Sequence, residues 1–124
     1  MKIGERQEYG ITVVTLEGRL DSSTSGEVMD RLSGLVNAGA TRMVLNLKEL
    51  TYISSAGLRS ILVAAKLTKS LSGQMRMCEA NHLISQVLEN SGFSNLIKVD
   101  SQEEESVKAL ADIAWSTAEL RHPL

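Results

Sequence analysis

Cysteine and proline are almost missing from this sequence of 124 residues, which holds one of each. With Cys78 alone, no internal disulfide, cysteine-based zinc site or CxxC redox pair can be assembled. This usage is typical of a reducing cytoplasm, where we expect the chain to reside. Pro123 lies near the last residue, so no proline-rich linker divides the chain. We therefore expect one domain, because this length suits a single core.

Long apolar runs and an excess of basic charge are lacking as well. The longest apolar stretch, residues 61–65, is far too short to span a membrane, and residues 1–6 lack the apolar segment of a signal peptide. The 13 lysines and arginines are outnumbered by 15 aspartates and glutamates, and the basic residues form no cluster that could follow a phosphate backbone. We expect neither a nucleic-acid nor a membrane partner.

The common enzyme motifs are absent too. The sequence has no GxxxxGK[ST] phosphate loop, no GxGxxG after the first strand, no GxSxG elbow and no HExxH pair. Only His82 and His122 could act as imidazole bases, and they fall in the first turn of a predicted helix and in the C-terminal tail. We therefore expect no catalytic residue, no metal site and no cofactor.

The residues that are present alternate between strand and helix patterns. Strands are predicted over residues 2–9, 11–16, 43–47, 75–78 and 96–99. The first two read as an antiparallel hairpin, and the apolar run at 43–47 is typical of a strand near the sheet centre. The expected fold class is α/β: a single-domain mixed β-sheet that opens with the hairpin and continues with βα units, with about four helices mainly on one face.

Serine, threonine and asparagine mark the predicted helix starts. Helices are predicted over residues 24–39, 57–72 and 81–92 and from residue 101 onward. Thr24 with Glu27, and Ser101 with Glu104, have the spacing of a capping box. Gly73 is expected to end the second helix with a positive φ.

The segment with the strongest functional signal is residues 50–58, LTYISSAGL. Ser54 and Ser55 stand before a small residue and Gly57, where strand and loop give way to a helix. Hydroxyls at this point lie near unpaired N–H groups and the positive end of the helix dipole, so a phosphate can be tolerated there. Spacing alone leaves equally open that both serines only cap the helix.

Two blocks carry a family resemblance. Residues 16–21 read LEGRLD and precede a Ser/Thr-rich helix start, and residues 46–59 read NLKELTYISSAGLR. In order and length, about residues 5 to 112 resemble the anti-sigma-factor antagonists of the STAS domain class. The resemblance implies a STAS domain over residues 1–118, a short tail over 119–124, and a monomer or weak dimer.

The resemblance also implies a phosphorylation switch. In the family the second block reads roughly D-S-[ST]-G-L, and its first serine is phosphorylated. Matching the glycine places this phosphoacceptor at Ser55, with Ser54, where the family often has aspartate, as the alternative. The implied partners are an anti-sigma factor with serine kinase activity, which binds the unmodified protein, and a PP2C-type phosphatase. The implied partner contacts are Asp21, Ser22, Ser23, Thr24, Ser54, Ser55, Ala56, Gly57 and Leu58.

Two other functions stay open at this point. The missing aspartate at Ser54 leaves room for a non-switching STAS adaptor module in a sensory or transport complex. A small enzyme with Ser55 as nucleophile is the other, although no sequence spacing places a histidine beside this serine. Asp21 can also be read simply as a carboxylate near a helix N-terminus.

Overall fold

A computed structural model describes the backbone of residues 1–120 and the side chains of residues 1–111. His122 and the other residues of 121–124, the last four of the tail predicted over 119–124, lie outside the described residues. The strands are β1 Lys2–Glu8, β2 Ile11–Leu20, β3 Arg42–Asn46, β4 Leu50–Ile53, β5 Gln74–Cys78 and β6 Lys98–Asp100. The helices are α1 Ser25–Asn37, α2 Ser55–Ser70, α3 His82–Asn90 and α4 Glu103–Leu120, with a 3₁₀ turn at Phe93–Asn95.

The strands form one mixed sheet in the order β1-β2-β3-β5-β6. β1 runs antiparallel to β2, and the following pairs are parallel. Tyr9 and Gly10 both have positive φ (54° and 77°), as a tight hairpin turn requires. The predicted opening hairpin and the central position of β3 are therefore confirmed.

The helices cover the two faces of the sheet unequally. Along β2, Val14 and Leu16 join the larger core with side chains of α1, α2 and α3. Ile11 and Val13 point to the other face and pack with Val107 of α4 and its neighbours. This alternation follows from the two-residue period of a strand. Three helices on one face and α4 on the other agree with the predicted arrangement.

Cys78 is fully buried at the end of β5, on the face that α4 covers. Burial raises the pKa of its thiol to about 12, and the carboxylates of Glu103 and Glu79 add to the increase. The thiol is therefore protonated at neutral pH and acts as a small apolar side chain.

Across the described part of the chain, no helix combines the length and the apolar character needed to cross a membrane.

The end of α2 differs from the prediction for Gly73. Ser72 has the positive φ, 61°, and the Gly73 N–H donates to the Thr68 carbonyl at 2.7 Å, which completes a Schellman-type end. A Cβ at Gly73 would lie 2.0 Å from the backbone oxygen of Thr41. Glycine is needed here for a close backbone approach, and the predicted positive φ at Gly73 is wrong.

The helix caps also differ from the predicted boxes. Thr24 is the N-cap of α1, but its hydroxyl donates to the Arg19 carbonyl at 2.8 Å and makes no cap hydrogen bond. α4 begins at Glu103, whose N–H donates to the Glu79 carboxylate at 3.1 Å. The Thr24 hydroxyl is thus engaged by backbone groups just before α1, and the first N–H of α4 is engaged by a carboxylate 24 residues away in sequence.

β4 is a strand that the sequence patterns did not predict. Its two ends, Leu50 and Ile53, are buried, and the two residues between them are exposed. β4 pairs in parallel with the end of β2, where Arg19 lies opposite Tyr52. The register shifts between Gly18 and Arg19. This pairing brings the start of α2 beside the end of β2.

Candidate functional site

An open depression of about 870 Å³ lies where the end of β2, the start of α2 and the end of α3 meet. Its lining residues are Arg19, Asp21, Ser22, Ser23, Tyr52, Ile53, Ser54, Ser55, Ala56, Leu58, Val87, Asn90 and Ser91. The two sequence blocks singled out above, far apart in the chain, therefore share one surface. Of the predicted partner contacts, only Thr24 and Gly57 are not among its lining residues.

Ser54 and Ser55 have different roles at the start of α2. Ser54 is the N-cap: its hydroxyl accepts the Gly57 N–H at 3.2 Å, and its own N–H donates to the Leu20 carbonyl at 2.9 Å. Ser55 is the first residue of the helix and is exposed. The helix predicted from residue 57 begins two residues earlier, at Ser55, so that both serines lie at its start. Ser54 stabilises the local fold, whereas Ser55 presents its hydroxyl to solvent.

Gly57 lies behind the two serines and holds α2 close to β2. A Cβ at this position would meet the Leu20 side chain at 2.7 Å, the Leu20 carbonyl at 2.8 Å and the Ile53 side chain at 3.1 Å. Only glycine allows the helix to approach the strand so closely. Gly57 therefore fixes the position of the serines, and its predicted contact with a partner stays a prediction.

We expect Gly57→Ala to destabilise the protein although alanine is the better helix former. Overpacking against Leu20 costs about 1–3 kcal/mol, more than the gain of roughly 1 kcal/mol in helix propensity. Gly34→Ala, inside α1 where the added Cβ would meet no neighbouring element within 4 Å, is the matched control and should stabilise. Urea unfolding of both variants measures the difference. A Gly57 variant as stable as the Gly34 variant would contradict the packing argument.

Asp21 is a fixed, ionised carboxylate in the depression. It accepts hydrogen bonds from the Ser23 hydroxyl at 2.6 Å and from the Ser23 N–H at 2.9 Å. These bonds, with the charge of Arg19 as a smaller cause, lower the pKa of Asp21 below its ordinary value. Ser23 orients Asp21 and stabilises its ionised form.

Arg19 and Tyr52 are site residues that sequence reasoning missed. The Arg19 guanidinium lies over the Tyr52 ring, 4.1 Å from its centre, with Nε 3.8 Å from Asp21 Oδ2. Both residues fall within the two family-like blocks, but only the pairing of β2 with β4 brings them together. Val87 and Asn90 were missed because no motif marks the end of α3.

Metal-ligand clusters and histidine bases are not found at the depression within the described residues. Within the described residues, no group of three or more histidine, cysteine, aspartate and glutamate side chains could hold a metal ion. His82, exposed at the first position of α3, is not among the residues that line the depression. A Ser55 nucleophile would thus lack an imidazole base among the described lining residues.

Comparison with known proteins identifies the family. The STAS domain profile matches residues 3–106 of this chain. BtrV of Bordetella bronchiseptica, described as a candidate anti-sigma factor antagonist, is 33% identical over 88% of this chain and 94% of its own length. An anti-sigma F factor antagonist of Paenibacillus polymyxa is 30% identical over 91% of this chain and 95% of its own length. The chain belongs to the STAS domain family.

The fold is also similar to that of SpoIIAA from Bacillus, an anti-sigma factor antagonist. The unphosphorylated and phosphorylated forms of SpoIIAA each match 87% of this chain with a TM-score of 0.68. The matches cover 96% and 98% of those chains, at 19% and 20% sequence identity. At this identity the likeness concerns the fold alone, and it confirms the predicted α/β architecture.

Proposed function

We propose that this protein is an anti-sigma factor antagonist switched by phosphorylation of Ser55. In its unmodified form it binds an anti-sigma factor with serine kinase activity in the cytoplasm, so that a sigma factor is released. The kinase then phosphorylates Ser55 and the complex dissociates, and a PP2C-type phosphatase resets the serine. The observation that carries this proposal is the exposed Ser55 at the first position of α2, in a depression shared by both family-like blocks.

Ser55 is favoured over Ser54 as the acceptor by the hydrogen bonds at the start of α2. The Ser54 hydroxyl accepts the Gly57 N–H, and Ser54 is the less exposed of the two serines. A kinase that used Ser54 would have to handle a hydroxyl already engaged in capping the helix. Ser55 can be modified while that cap stays in place.

The charge in the depression explains how a phosphate would end binding. A phosphoserine adds about −1.5 to −2 charges at neutral pH. Asp21 already contributes a negative charge there, and Arg19 is the one basic residue among the described lining residues. The modified surface would be net negative and would repel acidic groups of a bound partner. The helix N-terminus tolerates the phosphate, so the domain itself stays folded.

The non-switching adaptor remains the second candidate, and Ser54 is the observation that favours it. If an aspartate at this position helps to present the acceptor hydroxyl to a kinase, its replacement by serine would remove that help. Ser54 does replace the aspartate as a helix cap, since serine and aspartate are comparable N-caps. The effect of Ser54 on phosphorylation distinguishes the phosphorylation switch from the non-switching adaptor.

Mapping the phosphate after incubation with the kinase and ATP tests the proposal. Wild type, Ser54→Ala and Ser55→Ala are incubated with the anti-sigma factor kinase of the same organism and then digested for mass spectrometry. We expect phosphate on Ser55 in wild type and in Ser54→Ala, and none in Ser55→Ala. Phosphate on Ser54 alone would contradict the assignment of Ser55, and phosphate on neither serine would favour the adaptor.

A further inference from the structure

The Arg19 guanidinium is fixed in place, but its N–H groups are not all hydrogen-bonded in the unmodified protein. It rests on the Tyr52 ring, while the nearest Asp21 oxygen lies 3.8 Å from Nε, beyond hydrogen-bond distance. The Arg19 side chain is 63% exposed. The aromatic ring fixes the plane of the guanidinium but leaves its N–H groups able to donate to a stronger acceptor.

The backbone brings Arg19 close to the modification site. Arg19 pairs with Tyr52, and the next residue of β2, Leu20, accepts the N–H of Ser54 at 2.9 Å. Ser55 follows at once, and Arg19 and Ser55 line the same depression. An arginine side chain on one of two neighbouring strands, which lie about 4.8 Å apart, can reach a group at the end of the other.

We infer that Arg19 binds the phosphate of phosphorylated Ser55 and thereby senses the modification. The inference rests on the proposed function. The guanidinium would leave Asp21 and form charge-assisted, bidentate hydrogen bonds with the phosphate, which a carboxylate at 3.8 Å does not offer. Asp21 would then lose its only cation among the described lining residues. Phosphorylation would change the surface at two points, at Ser55 and at the uncovered Asp21.

Phosphorus NMR of protein with phosphoserine inserted at position 55 during translation tests this inference. The second pKa of an ordinary phosphoserine is about 6, and a bound guanidinium lowers it because the dianion is stabilised. We expect a lowered pKa in the wild-type background and an increase of about half a unit or more in Arg19→Gln. Arg19→Lys keeps the charge and should retain part of the lowering.

The matched control is Arg59→Gln, which removes an exposed arginine four residues beyond Ser55 on the same helix. We expect it to move the phosphate pKa less than Arg19→Gln does. An unchanged pKa in Arg19→Gln, a larger change in Arg59→Gln, or a lysine variant that behaves like the glutamine variant would overturn the role of Arg19. Because the phosphoserine is installed without a kinase, these results are independent of whether a kinase recognises Ser55.

Discussion

Replacement of Asp100 by asparagine is expected to lower the free energy of unfolding by about 3 kcal/mol. Asp100, at the end of β6, accepts hydrogen bonds from Arg76 Nε at 2.8 Å and Arg76 Nη2 at 2.9 Å, and a third from the Ser106 hydroxyl of α4. The side chains of Arg76 and Asp100 are 14% and 6% exposed. The neutral amide of the variant would leave the arginine charge buried beneath α4 without its counter-ion.

An exposed ion pair of similar length provides the control. Arg31 Nη2 lies 2.9 Å from Glu5 Oε1, but these side chains are 44% and 37% exposed. Glu5→Gln should cost less than about 1 kcal/mol, because water already solvates both charges. Urea unfolding at neutral pH compares the two variants. Equal losses of unfolding free energy in Asp100→Asn and Glu5→Gln would contradict the argument that burial makes the Arg76–Asp100 pair important.

The same pair predicts a pH dependence. Hydrogen bonds from Arg76, with a smaller contribution from Ser106, hold the pKa of Asp100 below its ordinary value. A carboxyl whose pKa is lowered by folding stabilises the protein above its unfolded-state pKa of about 3.9, and this contribution is lost as the pH falls through the folded-state value. The stability gap between wild type and Asp100→Asn should therefore narrow in acid. A stability difference that grows as the pH falls would contradict the predicted direction.

Substitutions of Ser55 are expected to act in opposite directions on the complex with the anti-sigma factor. Ser55→Ala keeps the neutral surface but removes the acceptor hydroxyl, so the complex should persist when ATP is added. Ser55→Asp places one negative charge beside Asp21, which should weaken binding by about tenfold to a hundredfold, less than a phosphate would. Titration calorimetry with and without ATP measures both effects.

Ser70→Asp is the matched control for the added charge. Ser70 is exposed at the far end of α2, about 22 Å from Ser55 along the helix axis. It should leave the affinity for the anti-sigma factor unchanged, because a charge at this distance is screened. If Ser70→Asp weakened binding as much as Ser55→Asp, the depression would not be the docking surface.

Local patterns in the sequence were sufficient for most of the fold. The apolar run around β3 and the helical periodicity of α2 predicted both elements and their places. β4 was missed because it has only four residues, with two exposed residues between Leu50 and Ile53, and shows no alternation. The positive φ of Ser72 was missed because the close approach of Gly73 to Thr41 depends on tertiary packing. Propensity holds no information on such contacts between distant segments.

The candidate site could be predicted only where one continuous segment forms it. In the Ser54–Gly57 segment, the hydroxyls, the small residue and the glycine are adjacent in sequence, so this part of the site could be recognised directly. The stacking of Arg19 on Tyr52 follows from the pairing of β2 with β4 across a register shift, which neither strand reveals alone. The Thr24 hydroxyl turns to the Arg19 carbonyl rather than to its own helix, so even the predicted cap depended on a contact outside α1.

The affinity of the anti-sigma factor for two purified forms of this protein, unmodified and carrying phosphoserine at position 55, tests the central claim most directly. The account predicts that the unmodified form binds and that the phosphorylated form binds at least about a hundredfold more weakly, as expected when like charges are brought together in a desolvated interface. Circular dichroism of both forms should show the same folded domain. Equal affinities of the two folded forms would contradict the phosphorylation switch.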